Sequence, residues 1–163
     1  MTHRNRQARY CSTRCRVAAH RAGLPGLLPD GRWLTWDEQK RPLQLDGRSA
    51  SSTDPRTWTT HAAIRDQPRI GYVLGGGIGC IDLDHCLDEH GAPTAAAERF
   101  LANYPGHWIE ISPSGDGLHI WGTLPSQPGR RRIIDELHVE TYSRDRYMTV
   151  TGHTFQRGTL LPL

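Results

Sequence analysis

Val73-Leu74-Gly75-Gly76-Gly77-Ile78-Gly79-Cys80-Ile81-Asp82-Leu83-Asp84 is the stretch on which the fold turns: a glycine turn runs into a strand-like segment carrying two carboxylates two residues apart. Side chains alternate along a strand, so Asp82 and Asp84 share one face while Ile81 and Leu83 fill the other. Two acids side by side on an otherwise apolar strand repel each other, and a divalent cation relieves that cost. Oxygen-only ligation favours magnesium or manganese over zinc. An isolated Asp-x-Asp is also compatible with a solvated strand edge or turn, so the pair must be read with the rest of the chain.

Composition sets the bounds. A chain of 163 residues suffices for one well-buried domain with at most a small appendage. No stretch approaches the roughly 18 apolar residues of a membrane span, and the N-terminus lacks a signal peptide's apolar core. The expectation is a soluble, cytoplasmic protein with no membrane partner. Its four cysteines, Cys11, Cys15, Cys80 and Cys86, then read as free thiols or metal ligands rather than disulfides. Net charge is only +3, but Arg4 to Arg21 and Arg130-Arg131-Arg132 form two basic blocks suited to phosphates. The arginine bias itself is also what a GC-rich genome produces.

Residues 1–29 read as a basic segment ending in a Pro/Gly linker, Gly23 to Pro29, and residues 30–163 as the main domain. Within that domain, strands are expected at Trp33–Trp36, Ile70–Leu74 and Cys80–Asp84, then at His107–Ser112 and Leu118–Gly122. Glu136–Tyr142 and Arg146–Thr151 read as a closing β-hairpin. Helices are expected from Asp54-Pro55 to about Asp66 and from about Thr94 to Tyr104, the latter on the apolar stripe Ala96, Phe100, Leu101. The class is α+β with a mixed or antiparallel sheet.

Downstream of the acid pair come Glu110-Ile111-Ser112-Pro113-Ser114-Gly115-Asp116-Gly117-Leu118-His119, then Val139-Glu140-Thr141-Tyr142 and Arg146-Tyr147-Met148-Thr149. The Ser/Gly loop has the hydroxyls, glycines and N–H groups of an anion nest, although its composition is also that of an ordinary turn. Glu140 reads either as a third metal acid or as an exposed strand residue. Glu136 is a rival acid at the strand start. Gly75 to Gly79 precedes a strand and no Gly-Lys-Ser/Thr follows, so neither a P-loop nor a dinucleotide fingerprint is supported.

The ordered set of acid-x-acid, Ser/His loop and later acid resembles the archaeo-eukaryotic-type primase-polymerases, in the form of phage and plasmid bifunctional DNA primase/polymerase N-terminal domains. Trp33-Leu34-Thr35-Trp36, Lys40-Arg41-Pro42 and Ala50 to Trp58 extend the resemblance, which runs from Arg32 to Phe155, roughly three quarters of the chain. It implies a catalytic core whose RNA-recognition-like sheet carries Asp82, Asp84 and Glu140 as ligands of two Mg2+ or Mn2+ ions, in template-directed nucleotidyl transfer. It further implies nucleotide binding by Ser114, Gly115, Gly117, His119, Tyr142, Arg146 and Lys40, with Arg144 a substitute for Arg146. Single-stranded DNA template and nucleoside triphosphates are the implied partners, with a replicative helicase acting in trans or lying on a C-terminal region beyond this chain.

Two other classes compete: a non-catalytic single-stranded DNA-binding module, and an Asp-x-Asp metal-dependent nucleotide-sugar transferase. Cys11, Cys15 and His20 look like half of a zinc module, three ligands where structural zinc takes four, so an incomplete site or a basic helix is expected.

Overall fold

Asp82 and Asp84 lie on a central strand, and the path of the chain around it explains the cleft they face. The computed structural model describes residues 23–163, so the zinc-like residues Cys11, Cys15 and His20 and the arginines from Arg4 to Arg21 lie outside the described residues. In chain order the strands are β1 (Trp33–Trp36), β2 (Pro42–Leu43), β3 (Ile70–Val73), β4 (Ile78–Asp84), β5 (Trp108–Ile111), β6 (Leu118–Thr123), β7 (Arg130–Ile134), β8 (Leu137–Tyr142), β9 (Tyr147–Val150), β10 (Thr154–Gln156) and β11 (Leu161–Pro162). The helices are α1 (Leu24–Leu27), α2 (His61–Ile64) and α3 (Ala95–Leu101).

Two sheets result, four-stranded in the order β2-β1-β3-β9 and seven-stranded in the order β10-β5-β6-β4-β8-β7, with β11 beside β6. All pairings are antiparallel except β11 with β6. The α+β class with a mostly antiparallel, mixed sheet holds.

Alternation along β4 sends its side chains into two cores. Cys80, with Trp108, Trp121 and Tyr142 of neighbouring strands, meets Trp33, Tyr72, Met148 and Val150 of the four-stranded sheet. Tyr72 stands edge-on to Trp33 and Trp121, with centroids 5.2 and 6.3 Å apart, a geometry that aligns ring edges with ring faces. On the opposite face Ile81, Leu83, Ile109, Leu118 and Ile120 pack on Ala97 and Phe100 from the α3 side. Thr94 caps α3 by accepting the Ala97 N–H, so this helix begins where the sequence signals it.

Three local expectations change. Asp54-Pro55 opens only a 3-10 turn, Pro55–Thr57, because Trp58, Thr59 and Thr60 are aromatic or β-branched and run extended, Thr59 bridging to Trp33. Helix resumes only for the single turn of α2. The segments around Glu140 and Tyr147 form no hairpin: β8 has both edges filled by β4 and β7, so after Asp145 turns at φ 57 the chain crosses to pair with β3. The glycine turn is present as expected and joins strands of different sheets, with Gly76 and Gly77 at φ 62 and 84, conformations that disfavour a side chain. Finally, Leu24, Leu27 and Leu28, in the stretch read as linker, are buried in the inter-sheet core.

Among the described residues no helix is long and apolar enough to cross a membrane. Cys80 and Cys86 are free and buried.

Candidate active site

A single polar row crosses the seven-stranded sheet. Glu110 on β5 faces His119 on β6, His119 faces Asp82 on β4, Asp82 faces Glu140 on β8, and Glu140 faces Arg131 on β7. Residues opposed across strands share a face, so acid, imidazole, acid, acid and guanidinium stand in line. Asp84 follows one pleat along. The four-stranded sheet covers the neighbouring aromatic row and stops short of this one, leaving a cleft of about 420 Å3 lined by Asp82, Asp84, Ser112, His119, Lys40 and Arg146.

The row is electrostatically strained. Burial, then repulsion from Asp84 and Glu140, pushes the Asp82 carboxyl up to about 7, against relief from Arg146 and Lys40. Burial drives His119 down to about 4, so its 3.5 Å approach to Asp82 is not an attraction between charges at neutral pH. Burial also lifts Glu110 to about 7, although it accepts the Thr151 N–H at 3.2 Å. Its other carboxylate oxygen and His119 Nδ1 are fully buried.

The third acid differs from the first two. Glu140 is ion-paired with Arg131 Nε at 2.9 Å and accepts from the Tyr142 hydroxyl, which itself accepts from Arg131 Nε at 3.2 Å, with Arg146 3.8 Å away and stacked on the Tyr142 ring at 4.3 Å. The Asp84 carboxylate, by contrast, makes no hydrogen bond or ion pair among the described residues. Accordingly, no group of three or more His, Cys, Asp and Glu side chains there is drawn together closely enough to hold a metal ion. Asp82 and Asp84 do fit a hard divalent cation, having open oxygens and a mutual repulsion that such an ion relieves. Glu140 can join only by leaving Arg131.

The Ser/Gly loop is locked internally. Ser112 and Ser114 hydroxyls lie 2.9 Å apart, Ser114 donates to Asp116, and Asp116 bonds His85. Gly115 sits at φ 87, and a Cβ on Gly117 would stand 2.7 Å from the Leu83 carbonyl. Both glycines let the loop close against β4, which brings Ser112, Pro113 and Ser114 to the cleft wall while Gly115 and Gly117 stay out of it. Lys40, at φ 58, reaches the cleft from the β1–β2 loop, where its carbonyl accepts the Tyr147 hydroxyl. Of the two candidate arginines, Arg146 lines the cleft, whereas Arg144 does not line it and pairs with Asp145. Glu136 sits in the β7–β8 turn at φ 70, away from it.

Sequence reasoning passed over Glu110 and Arg131 as members of the row. An acid between two hydrophobes, Ile109 and Ile111, was the available sign for Glu110; Arg131 had none, because its register with Glu140 depends on a turn at Asp135-Glu136.

Fold and site together define an α+β protein whose paired carboxylates face a lysine and an arginine across a cleft. No family model matches the chain. The DNA primase-polymerase of Nitratiruptor phage NrS-1 is 35% identical over 143 residues, 76% of this chain and 19% of that protein. The chain belongs to the primase-polymerase family. It spans about a fifth of the length of this relative.

Proposed function

We propose that residues 30–163 carry the catalytic core of a DNA primase-polymerase, adding nucleotides to a 3′-hydroxyl under the direction of a single-stranded DNA template. The observation that carries this reading is the cleft itself, where Asp82 and Asp84 oppose Lys40 and Arg146. Carboxylates need a cation and a triphosphate needs cations, so one metal-bound nucleoside triphosphate satisfies both walls.

Asp82 and Asp84 would hold magnesium or manganese in this reading, with Glu140, now paired with Arg131, as the third carboxylate of a two-ion site. Bound there, divalent ions would supply Lewis-acid stabilisation of the attacking and leaving oxygens. Arg146 and Lys40 bind the triphosphate, and the Tyr142 ring fixes the Arg146 guanidinium. His119, held neutral by burial, offers an N–H to phosphate without competing for metal. Ser114 and the loop N–H groups border the same anion. A helicase partner, in trans or on a longer chain, suits the family.

Primer extension with magnesium or manganese tests this reading. Metal-dependent, template-directed incorporation is the expected result. Binding of DNA without incorporation under any metal favours the non-catalytic module, a reading that the capture of Glu140 by Arg131 supports.

A further inference from the structure

On the face of the seven-stranded sheet opposite the acids lies a second cavity, of about 270 Å3, and its lining is unlike that of a core defect. Arg130 and Arg132 enter from β7, Phe100 and Tyr104 from α3 and its exit, and Gln127 from the loop before β7. Arg130 and Arg132 pair with Thr141 and Val139 across β8, so both share the α3 face, whereas Arg131 points the other way to Glu140.

Two further facts bear on this cavity. Arg41, Arg48, Arg56, Arg65, Arg69, Arg99 and Arg144 each pair with a carboxylate. Arg130 and Arg132, exposed and on the same face of β7, make no side-chain ion pair or hydrogen bond among the described residues. Phe100 and Tyr104, meanwhile, lie 5.3 Å apart, only partly buried, and present ring surface beside those free guanidiniums.

Charge on an edge strand can serve simply to block edge-to-edge pairing, and β7 is an edge among the described residues. That role needs no aromatic neighbours and no cavity. A groove combining unpaired cations with aromatic faces is instead the arrangement that binds single-stranded nucleic acid: cations track the phosphates and rings stack on bases of any sequence. The volume, slightly below that of ordinary ligand pockets, suits a base rather than a whole nucleotide.

We propose that this cavity binds a segment of single-stranded nucleic acid, with Arg130 and Arg132 on consecutive phosphates and a base against Phe100 and Tyr104. The occupant's identity rests on the primase-polymerase reading. Because Arg131 leaves the same strand toward Glu140, the segment is held next to the acids but behind their sheet.

The test measures anisotropy of a labelled oligodeoxythymidylate bound to the full chain across a salt titration without divalent metal, with primer extension run separately. Arg130→Gln with Arg132→Gln should lower the slope of log affinity against log salt by about 1.4, two phosphates at about 0.7 each. Phe100→Leu should weaken binding about five- to a hundredfold and leave the slope unchanged. Arg48→Gln with Arg65→Gln, matched in charge, should change neither, and thermal melting should confirm that all variants fold. Wild-type affinity and slope in the cavity variants overturn the site, even if extension proceeds. Loss of binding in those variants supports the site, even if no extension is ever seen. A dimer dissociated by Ile133→Asp, with strand binding indifferent to the cavity variants, would assign the edge to a second copy of the chain and also overturn it.

Discussion

Glu140 stands directly opposite Asp82 in the β4–β8 register, yet its carboxylate is engaged by Arg131, 2.9 Å away on the next strand. The acid row is therefore two open carboxylates and one latched. Arg131 is exposed and Glu140 only partly buried, so the pair itself contributes little stability. Its consequence lies in which atoms are free to ligate.

Releasing the latch should strengthen metal binding. Arg131→Gln leaves Glu140 as a third carboxylate beside Asp82, raising local negative charge, and Mn2+ affinity measured by titration calorimetry should rise several-fold. Adding Glu140→Gln should cancel the gain. An Arg131→Gln variant with wild-type Mn2+ affinity would remove Glu140 from the metal site.

The open pair carries a sharper expectation. Asp82→Ala and Asp84→Ala should each abolish nucleotide incorporation. Neither should lower the melting temperature, and Asp82→Ala should raise it, because it removes a buried, repelled charge. Retained extension with an unchanged melting curve would exclude that residue from catalysis.

How much of this was legible beforehand depends on the range of the interaction involved. Strand alternation placed Asp82 and Asp84 on one face because that needs only local geometry. Spacing along the chain brought Glu140, His119, Lys40 and Arg146 to the site through the family's motif order. The pairing of β9 with β3 rather than β8 is a competition among edges, invisible in either segment alone. Leu24 to Leu28 carry the Pro and Gly of a linker but also three leucines, and burial decided between them. Gly115 and Gly117 read as a phosphate nest, whereas their φ and close packing explain them as turn residues.

Nucleotide capture should depend on Arg146 and His119. A basic or imidazole contact to phosphate is charge-assisted and worth about 1.5–3 kcal/mol, so each Ala variant should weaken triphosphate affinity roughly ten- to hundredfold. Template affinity should change far less. A labelled nucleotide titrated with manganese reads this, and equal affinity in all three proteins would send the triphosphate elsewhere.

Glu110 should make stability fall with rising pH. Its carboxyl is raised by burial from 4.5 to about 7, so the folded state keeps a proton that the unfolded chain releases. The stabilisation is complete below about 4.5 and is lost as pH rises to about 7, at about 1.4 kcal/mol per unit, roughly 3 kcal/mol in all. Glu110→Gln keeps an acceptor for the Thr151 N–H and cannot ionise, so urea melts across this window should show wild type losing stability relative to the variant. Parallel curves would mean that Glu110 is ionised in the fold.

Two truncations separate charge from packing at the N-terminus. Removing residues 1–22 takes away Arg4 to Arg21 and no buried residue of the described core. For every phosphate those arginines neutralise, the single-strand salt slope should fall by about 0.7, with extension on saturating template preserved, since the cleft is lined by residues from Lys40 onward. Removing residues 1–29 also takes Leu24, Leu27 and Leu28, which are 0, 4 and 6% exposed against the inter-sheet core. A buried leucine cut to alanine costs about 2.7–5 kcal/mol, so losing three costs about 8–15 kcal/mol, comparable to the whole stability of an ordinary domain, roughly 5–15 kcal/mol. The shorter truncation should melt like wild type and the longer one should lose its cooperative transition. A well-folded 30–163 fragment would show that α1 is dispensable, and an unchanged salt slope in the 23–163 fragment would show that the N-terminal arginines do not meet DNA.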